Sequence, residues 1–92
     1  MKYGIRRTSQ FKKDYKRAFK RGLALEKLDS AIETLANGGY LPPEYDDHML
    51  TGDKKGFREC HIEPDWLLVY AIDQGLLILV LVSTGSHSDL FK

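Results

Sequence analysis

The sequence has a single cysteine, Cys60, so no disulfide can form within the chain and a multi-cysteine zinc site is excluded. It has no long apolar run: Leu76 to Val82, unsurpassed in length, is strand length, well short of the roughly 18 residues a membrane helix needs. No apolar segment follows the basic start Met1–Arg7, so no secretory leader is expected. These absences point to a cytoplasmic protein with no membrane role. Size is also lacking. The 92 residues fit one domain spanning 1–92 and cannot enclose a large pocket, so an active site should be a shallow groove suited to a polymer. Repeats, low-complexity segments and linkers are absent.

What is present is asymmetric. The net charge is only +1, yet residues 1–21 carry nine Lys or Arg against Asp14 alone, a local +8. The remainder is correspondingly acidic. Such an N-terminal third suits either a polyanion partner or a solvated helix face. Tyr3–Arg7 can open with a strand. Thr8 or Ser9 can then cap a helix whose Phe11, Tyr15, Ala18 and Phe19 form one apolar stripe, with Gly22 at its end. A second helix is expected from Leu25 to Asn37, with Leu25, Leu28, Ile32 and Leu35 inward, stopped by Gly38-Gly39. The short linker makes the two a hairpin. After a proline-containing loop the period changes to two. Phe57, Glu59 and His61 alternate with Arg58, Cys60 and Ile62, followed by strands at Trp66–Ile72 and Leu76–Val82. Turns at Glu63-Pro64-Asp65 and Asp73-Gln74-Gly75 make these an antiparallel meander, with the last two strands central. Thr84-Gly85-Ser86 ends the third strand, and a short tail or helix follows. The order β-α-α-β-β-β is an α+β layer fold, a sheet covered by a helix hairpin.

All three histidines lie in the second half: His48, His61 and His87. In a meander the third strand returns to the edge where the first ended, so His87 should arrive beside His61 and the turn residue Asp65. His48 has no such argument. This set suits metal-free RNA cleavage. The substrate's own 2′-hydroxyl is the nucleophile, so no Ser or Cys is needed. Imidazole can take or give a proton near neutral pH. A carboxylate can fix its tautomer, and an arginine such as Arg58 can fork onto phosphate oxygens. The products would be a 2′,3′-cyclic phosphate and a 5′-hydroxyl. Plainer roles exist for each residue. A single surface histidine is usually only polar, and Asp65 suits a turn. Arg58 alternates with core-side Cys60 and Ile62 and can be a structural ion-pair partner. Two histidines and a carboxylate can also hold a metal, although their spacing matches no common zinc motif. Trp66 and Phe91 can pack, or stack on bases.

Three blocks carry a resemblance: Asp47-His48-Met49-Leu50-Thr51-Gly52, the run Gly56–Tyr70 containing Phe57-Arg58-Glu59-Cys60-His61-Ile62-Glu63-Pro64-Asp65-Trp66, and Thr84-Gly85-Ser86-His87-Ser88-Asp89-Leu90-Phe91. Together with Ser9–Asp14 and both helices they resemble the YafQ-type toxins of the RelE/ParE superfamily over nearly the whole chain. The resemblance implies a bacterial type II toxin of RelE/ParE fold that enters the ribosomal A site and cuts mRNA there. It implies active-site roles for His48, His61, Asp65 and His87, with Trp66 and Phe91 beside them and Arg58 matching a family arginine. It also implies ribosomal RNA contact by the first helix through Lys12, Lys13, Lys16, Arg17 and Lys20. The implied partner is a small dimeric antitoxin, DinJ/RelB-like, in a 2:2 heterotetramer, with operator DNA reached only through that antitoxin. No cofactor or metal is implied. A ParE-like gyrase poison and a non-catalytic binding module share the fold and are the alternative readings.

Overall fold

The structure is a computed structural model that describes residues 2–91. In chain order the elements are β1 (Gly4–Arg7), α1 (Ser9–Lys20), α2 (Leu25–Ala36), β2 (His48–Met49), β3 (Arg58–Glu63), β4 (Trp66–Asp73), β5 (Ile78–Gly85) and α3 (His87–Leu90). Single 3₁₀ turns at Pro43–Tyr45 and Gly52–Lys54 flank β2. The strands form one sheet in the order β1-β5-β4-β3-β2. β1 lies parallel to β5, and the other pairings are antiparallel. The expected meander is therefore present, with β4 at the centre and β5 and β3 on either side of it. The two-residue β2 was not foreseen, and the closing segment forms α3. No helix among the described residues is long and apolar enough to cross a membrane.

Local chemistry explains the elements. The Thr8 hydroxyl oxygen accepts from the Phe11 amide at 3.0 Å and caps α1. The same hydroxyl donates to the Val82 carbonyl at 2.7 Å, at the bulge where pairing steps from Val69↔Ser83 to Tyr70↔Leu81. One side chain thus starts the helix and serves the irregular point of the sheet it covers. Gly22, at φ +74°, lets the chain leave α1 in the left-handed conformation, and Leu23 donates back to the Ala18 carbonyl. α2 buries Leu28, Ile32 and Leu35 as its spacing predicts. The core lies between the helices and one sheet face: Phe11, Ala18, Leu28, Ala31, Ile32 and Leu35 meet Cys60, Ile62, Trp66, Leu68, Tyr70, Leu79 and Leu81. Burial pushes the Cys60 thiol up to about 12, which makes it an inert core group at neutral pH.

Three expectations about elements are overturned. Phe19 does not join the apolar stripe: it is 70% exposed. The buried face of α1 is Phe11, Asp14 and Ala18, and Phe19 lies one residue further round. The third strand does not begin at Leu76. Leu76 and Leu77 belong to a wider turn, Leu77 at φ +53°, in which the Asp73 carboxylate accepts from the Leu76 amide at 3.0 Å. Finally, Thr84 and Gly85 extend β5 instead of breaking it. Thr84 is fully buried because Trp66 Nε1 donates to its hydroxyl at 3.0 Å, and the hydroxyl donates to the Leu67 carbonyl at 2.6 Å.

Candidate active site

Strand alternation turns Glu59 and His61 to the sheet face opposite the helices. The short β2 pairs His48 with Glu59, so His48 reaches the same face from the edge strand. The β5 return brings His87 to the edge where β3 and β4 meet. Centroids of His48 and His61 are 6.5 Å apart, those of His61 and His87 are 5.9 Å apart, and the Phe91 ring lies 6.4 Å beyond His87. The result is a row of three imidazoles ended by an aromatic ring. A bulge between His61 and Glu63 falls within it and turns the strand at this point.

Each imidazole has its Nδ1 against an acceptor. His48 Nδ1 faces the Asp46 carbonyl at 2.6 Å, His61 Nδ1 the Pro64 carbonyl at 3.3 Å, and His87 Nδ1 an Asp65 carboxylate oxygen at 2.8 Å. An acceptor there requires Nδ1–H, so each neutral ring presents Nε2 as its lone-pair nitrogen. The Asp65 oxygen that meets the ring also accepts from the His87 amide at 3.0 Å. That backbone bond first, and the imidazole second, lower the Asp65 pKa from its ordinary value.

Sequence reasoning missed two acidic groups. Glu59 is 6% exposed, and one of its oxygens lies 3.7 Å from both His48 Nε2 and His61 Nε2. Its charge can stabilise whichever of the two imidazoles is protonated. Asp46, held in the left-handed region at φ +47°, places an oxygen 3.8 Å from His61 Nε2. Alternation alone would have put Glu59 on the His61 face; nothing local in the sequence marks Asp46.

Behind His87 sits a third unforeseen group. Asp89 closes a capping box with Ser86: the Ser86 amide donates to Asp89 at 2.9 Å, and the Asp89 amide to the Ser86 hydroxyl at 3.2 Å. Arg21 donates to the same carboxylate through both terminal nitrogens, at 2.7 and 3.3 Å. The Arg21 guanidinium first, then the Ser86 amide, hold Asp89 far below the usual carboxylate range. Because folding lowers this pKa, the interaction is complete at neutral pH. It is lost only as pH falls below the ordinary carboxylate value of about 4.

Arg58, Trp66 and Arg17 are each held by contacts within the protein. Arg58 points to the helix side of the sheet, where its Nε donates to Asp47 at 3.1 Å beside Tyr70; the alternation with Cys60 and Ile62 prevails. Trp66 is 3% exposed and belongs to the core. Arg17 is half-buried, with Nη2 donating to the Thr84 carbonyl at 3.1 Å and lying 3.3 Å from Asp14. Lys12, Lys13, Lys16 and Lys20 are exposed. Phe19 joins Lys12, Lys16 and Lys20 at helical spacing, so α1 offers basic groups interleaved with an aromatic ring. Phe91 is partly exposed, and Lys54 Nζ lies 5.9 Å from its ring centre.

No group of three or more His, Cys, Asp or Glu side chains among the described residues is placed to hold a metal ion.

The chain is similar to known proteins over nearly its whole length. Residues 3–92 match the family described as "Bacterial toxin of type II toxin-antitoxin system, YafQ". The chain is 41% identical over 88 residues to the mRNA interferase toxin YafQ of Escherichia coli K12, covering 95% of this chain and 94% of that protein. It superposes on the toxin in a crystal structure of the E. coli DinJ–YafQ complex with a TM-score of 0.90 and 38% identity, covering 98% of this chain and 99% of that one. A metal-bound toxin from Helicobacter pylori is similar at a TM-score of 0.91 and 45% identity, covering 97% and 99%.

Proposed function

The chain belongs to the YafQ family of bacterial type II toxins, and from that membership we propose that it is an endoribonuclease that cuts mRNA on the ribosome by metal-free acid–base catalysis. Most weight rests on the Nδ1 anchoring of all three imidazoles, which leaves Nε2 as the working nitrogen of each ring in the row. The 2′-oxygen attacks the adjacent phosphorus while one Nε2 takes its proton. The bond from phosphorus to the 5′-oxygen breaks as a protonated Nε2 gives that oxygen a proton. The products are a 2′,3′-cyclic phosphate and a 5′-hydroxyl. Asp65 steadies His87 and favours its charged form in the transition state. Phe91, at the end of the row, is available to stack on a base.

Expression from a tight promoter, followed by mapping of 5′-hydroxyl ends, should give in-frame cuts in cellular mRNA. In a purified system, cleavage of ribosome-bound mRNA should be unchanged by a transition-metal chelator at constant magnesium. Double-strand DNA breaks in place of mRNA cuts would favour a gyrase poison. Loss of cleavage on chelation, restored by a stoichiometric transition metal, would overturn the metal-free mechanism.

The α1 lysines supply the docking surface for ribosomal RNA. Replacing Lys12, Lys16 and Lys20 with glutamine should weaken ribosome binding and flatten its salt dependence, because fewer counterions are released. Stability should change by less than about 1 kcal/mol, as for other exposed charges. An unchanged affinity and salt slope would return these lysines to the solvated-surface role. The inhibitory partner is a DinJ/RelB-like antitoxin in a 2:2 heterotetramer, through which alone operator DNA is reached. A DinJ complex is known for the E. coli relative. An acidic or amphipathic antitoxin segment folding over the basic surface would block ribosome binding.

A further inference from the structure

α3 has only four residues, too few to hold helical shape unaided, yet it carries His87 at its first position. Contacts to α1 tie it down. Asp89 takes both terminal nitrogens of Arg21, and Arg17 Nη2 approaches the same carboxylate at 3.6 Å. Arg17 in turn reaches the Thr84 carbonyl and Asp14. Asp14 is 1% exposed and accepts from the Thr84 amide at 3.1 Å and from Gln10 at 2.8 Å. Acidic and basic groups therefore alternate from inside α1 outward, Asp14, Arg17, Asp89, Arg21, and grip the chain on both sides of Gly85. The fit is close: a Cβ on Gly85 would lie 2.7 Å from Arg17 Nη2 and 2.9 Å from Asp89.

We infer that Asp89, clamped by Arg21 and Arg17, is a positioning residue for His87, and that the rate of cleavage depends on this clamp although none of its members touches the RNA. The inference rests on His87 being an acid–base group of the reaction. The capping box sets the start of α3, and His87 follows Ser86 directly. The ring has one other tether, exposed Asp65. Without the clamp, α3 can turn about the end of β5 and carry Nε2 out of line with His61. Misplacement by about an ångström can cost on the order of 10²-fold in rate.

Asp89→Asn keeps a capping oxygen but loses the charge, and Arg21→Gln removes the partner. Single-turnover cleavage at saturating ribosomes separates rate from docking. Each variant should cut on the order of 10- to 10²-fold more slowly with little change in the ribosome concentration at half-maximal rate. The double variant should be no slower than the worse single one, since both remove one interaction. In a His87→Ala background, Asp89→Asn should cost nothing further. Nitrogen NMR should show the His87 ring signals altered and those of His48 and His61 unmoved. If His87→Ala cuts at the wild-type rate, the acid–base role itself fails. If His87→Ala is slow but Asp89→Asn and Arg21→Gln cut normally, or if Arg21→Gln loses only ribosome affinity, the clamp has no positioning role.

Discussion

His87→Ala should remain folded and cleave ribosome-bound mRNA about 10²–10⁴-fold more slowly than the wild type, the usual contribution of a general acid or base. Structural loss should be small. The His87 side chain is about half exposed, its backbone amide can still donate to Asp65, and the Ser86–Asp89 capping box involves no imidazole atom. Alanine is also a good helix former at this position. The removed atoms are the ring whose Nδ1 is fixed at 2.8 Å from a carboxylate and whose Nε2 the proposed reaction uses. Thermal unfolding beside single-turnover cleavage separates the two effects. A folded variant that cuts at the wild-type rate would remove His87 from the chemistry.

The largest stability effect is expected at Trp66. Truncation to alanine should cost about 3–5 kcal/mol, as for other buried tryptophans, a large share of the roughly 5–15 kcal/mol that holds a small domain together. Two causes add. The indole is nearly fully buried among core side chains, and its Nε1–H serves the buried Thr84 hydroxyl at 3.0 Å. Trp66→Phe should keep most of the packing and lose mainly that bond, about 1–3 kcal/mol. Urea unfolding of the three proteins measures both. An unchanged midpoint for Trp66→Ala, with cleavage lost, would return the residue to base stacking.

The sequence made the fold legible wherever one periodicity dominated. The alternation of Phe57–Ile62 and the apolar runs after it placed the meander and its central strands, and the i, i+4 spacing placed both helices. Strand topology alone predicted that His87 would meet His61 and Asp65, and the Asp65–His87 contact is where that argument put it. Five features were not legible, each for a physical reason. Phe19 was assigned inward because apolar character was counted and the buried Asp14 was not expected. A carboxylate is rarely buried unless several donors satisfy it, and here they come from the distant Thr84 amide, from Gln10 and from Arg17. Trp66 looked like an RNA contact because it adjoins Asp65, but one step along a strand reverses the face. Arg58 was drawn toward the site by its charge, while the alternation already noted sent it to Asp47. His48 could not be placed because its position depends on a two-residue strand, too short to leave a pattern. Asp89 and Arg21 are 68 residues apart, and no local rule connects them.

Of the three Nδ1 anchors, two are main-chain carbonyls, those of Asp46 and Pro64, and only the one at His87 is a side chain. A carbonyl survives almost every substitution of the residue that bears it. The tautomers of His48 and His61 are therefore written into the course of the backbone and are shielded from point mutation. That of His87 is written into a replaceable carboxylate. Substitution of an acceptor side chain can change a tautomer only at the His87 end of the row; at the other end the loop must first be redrawn.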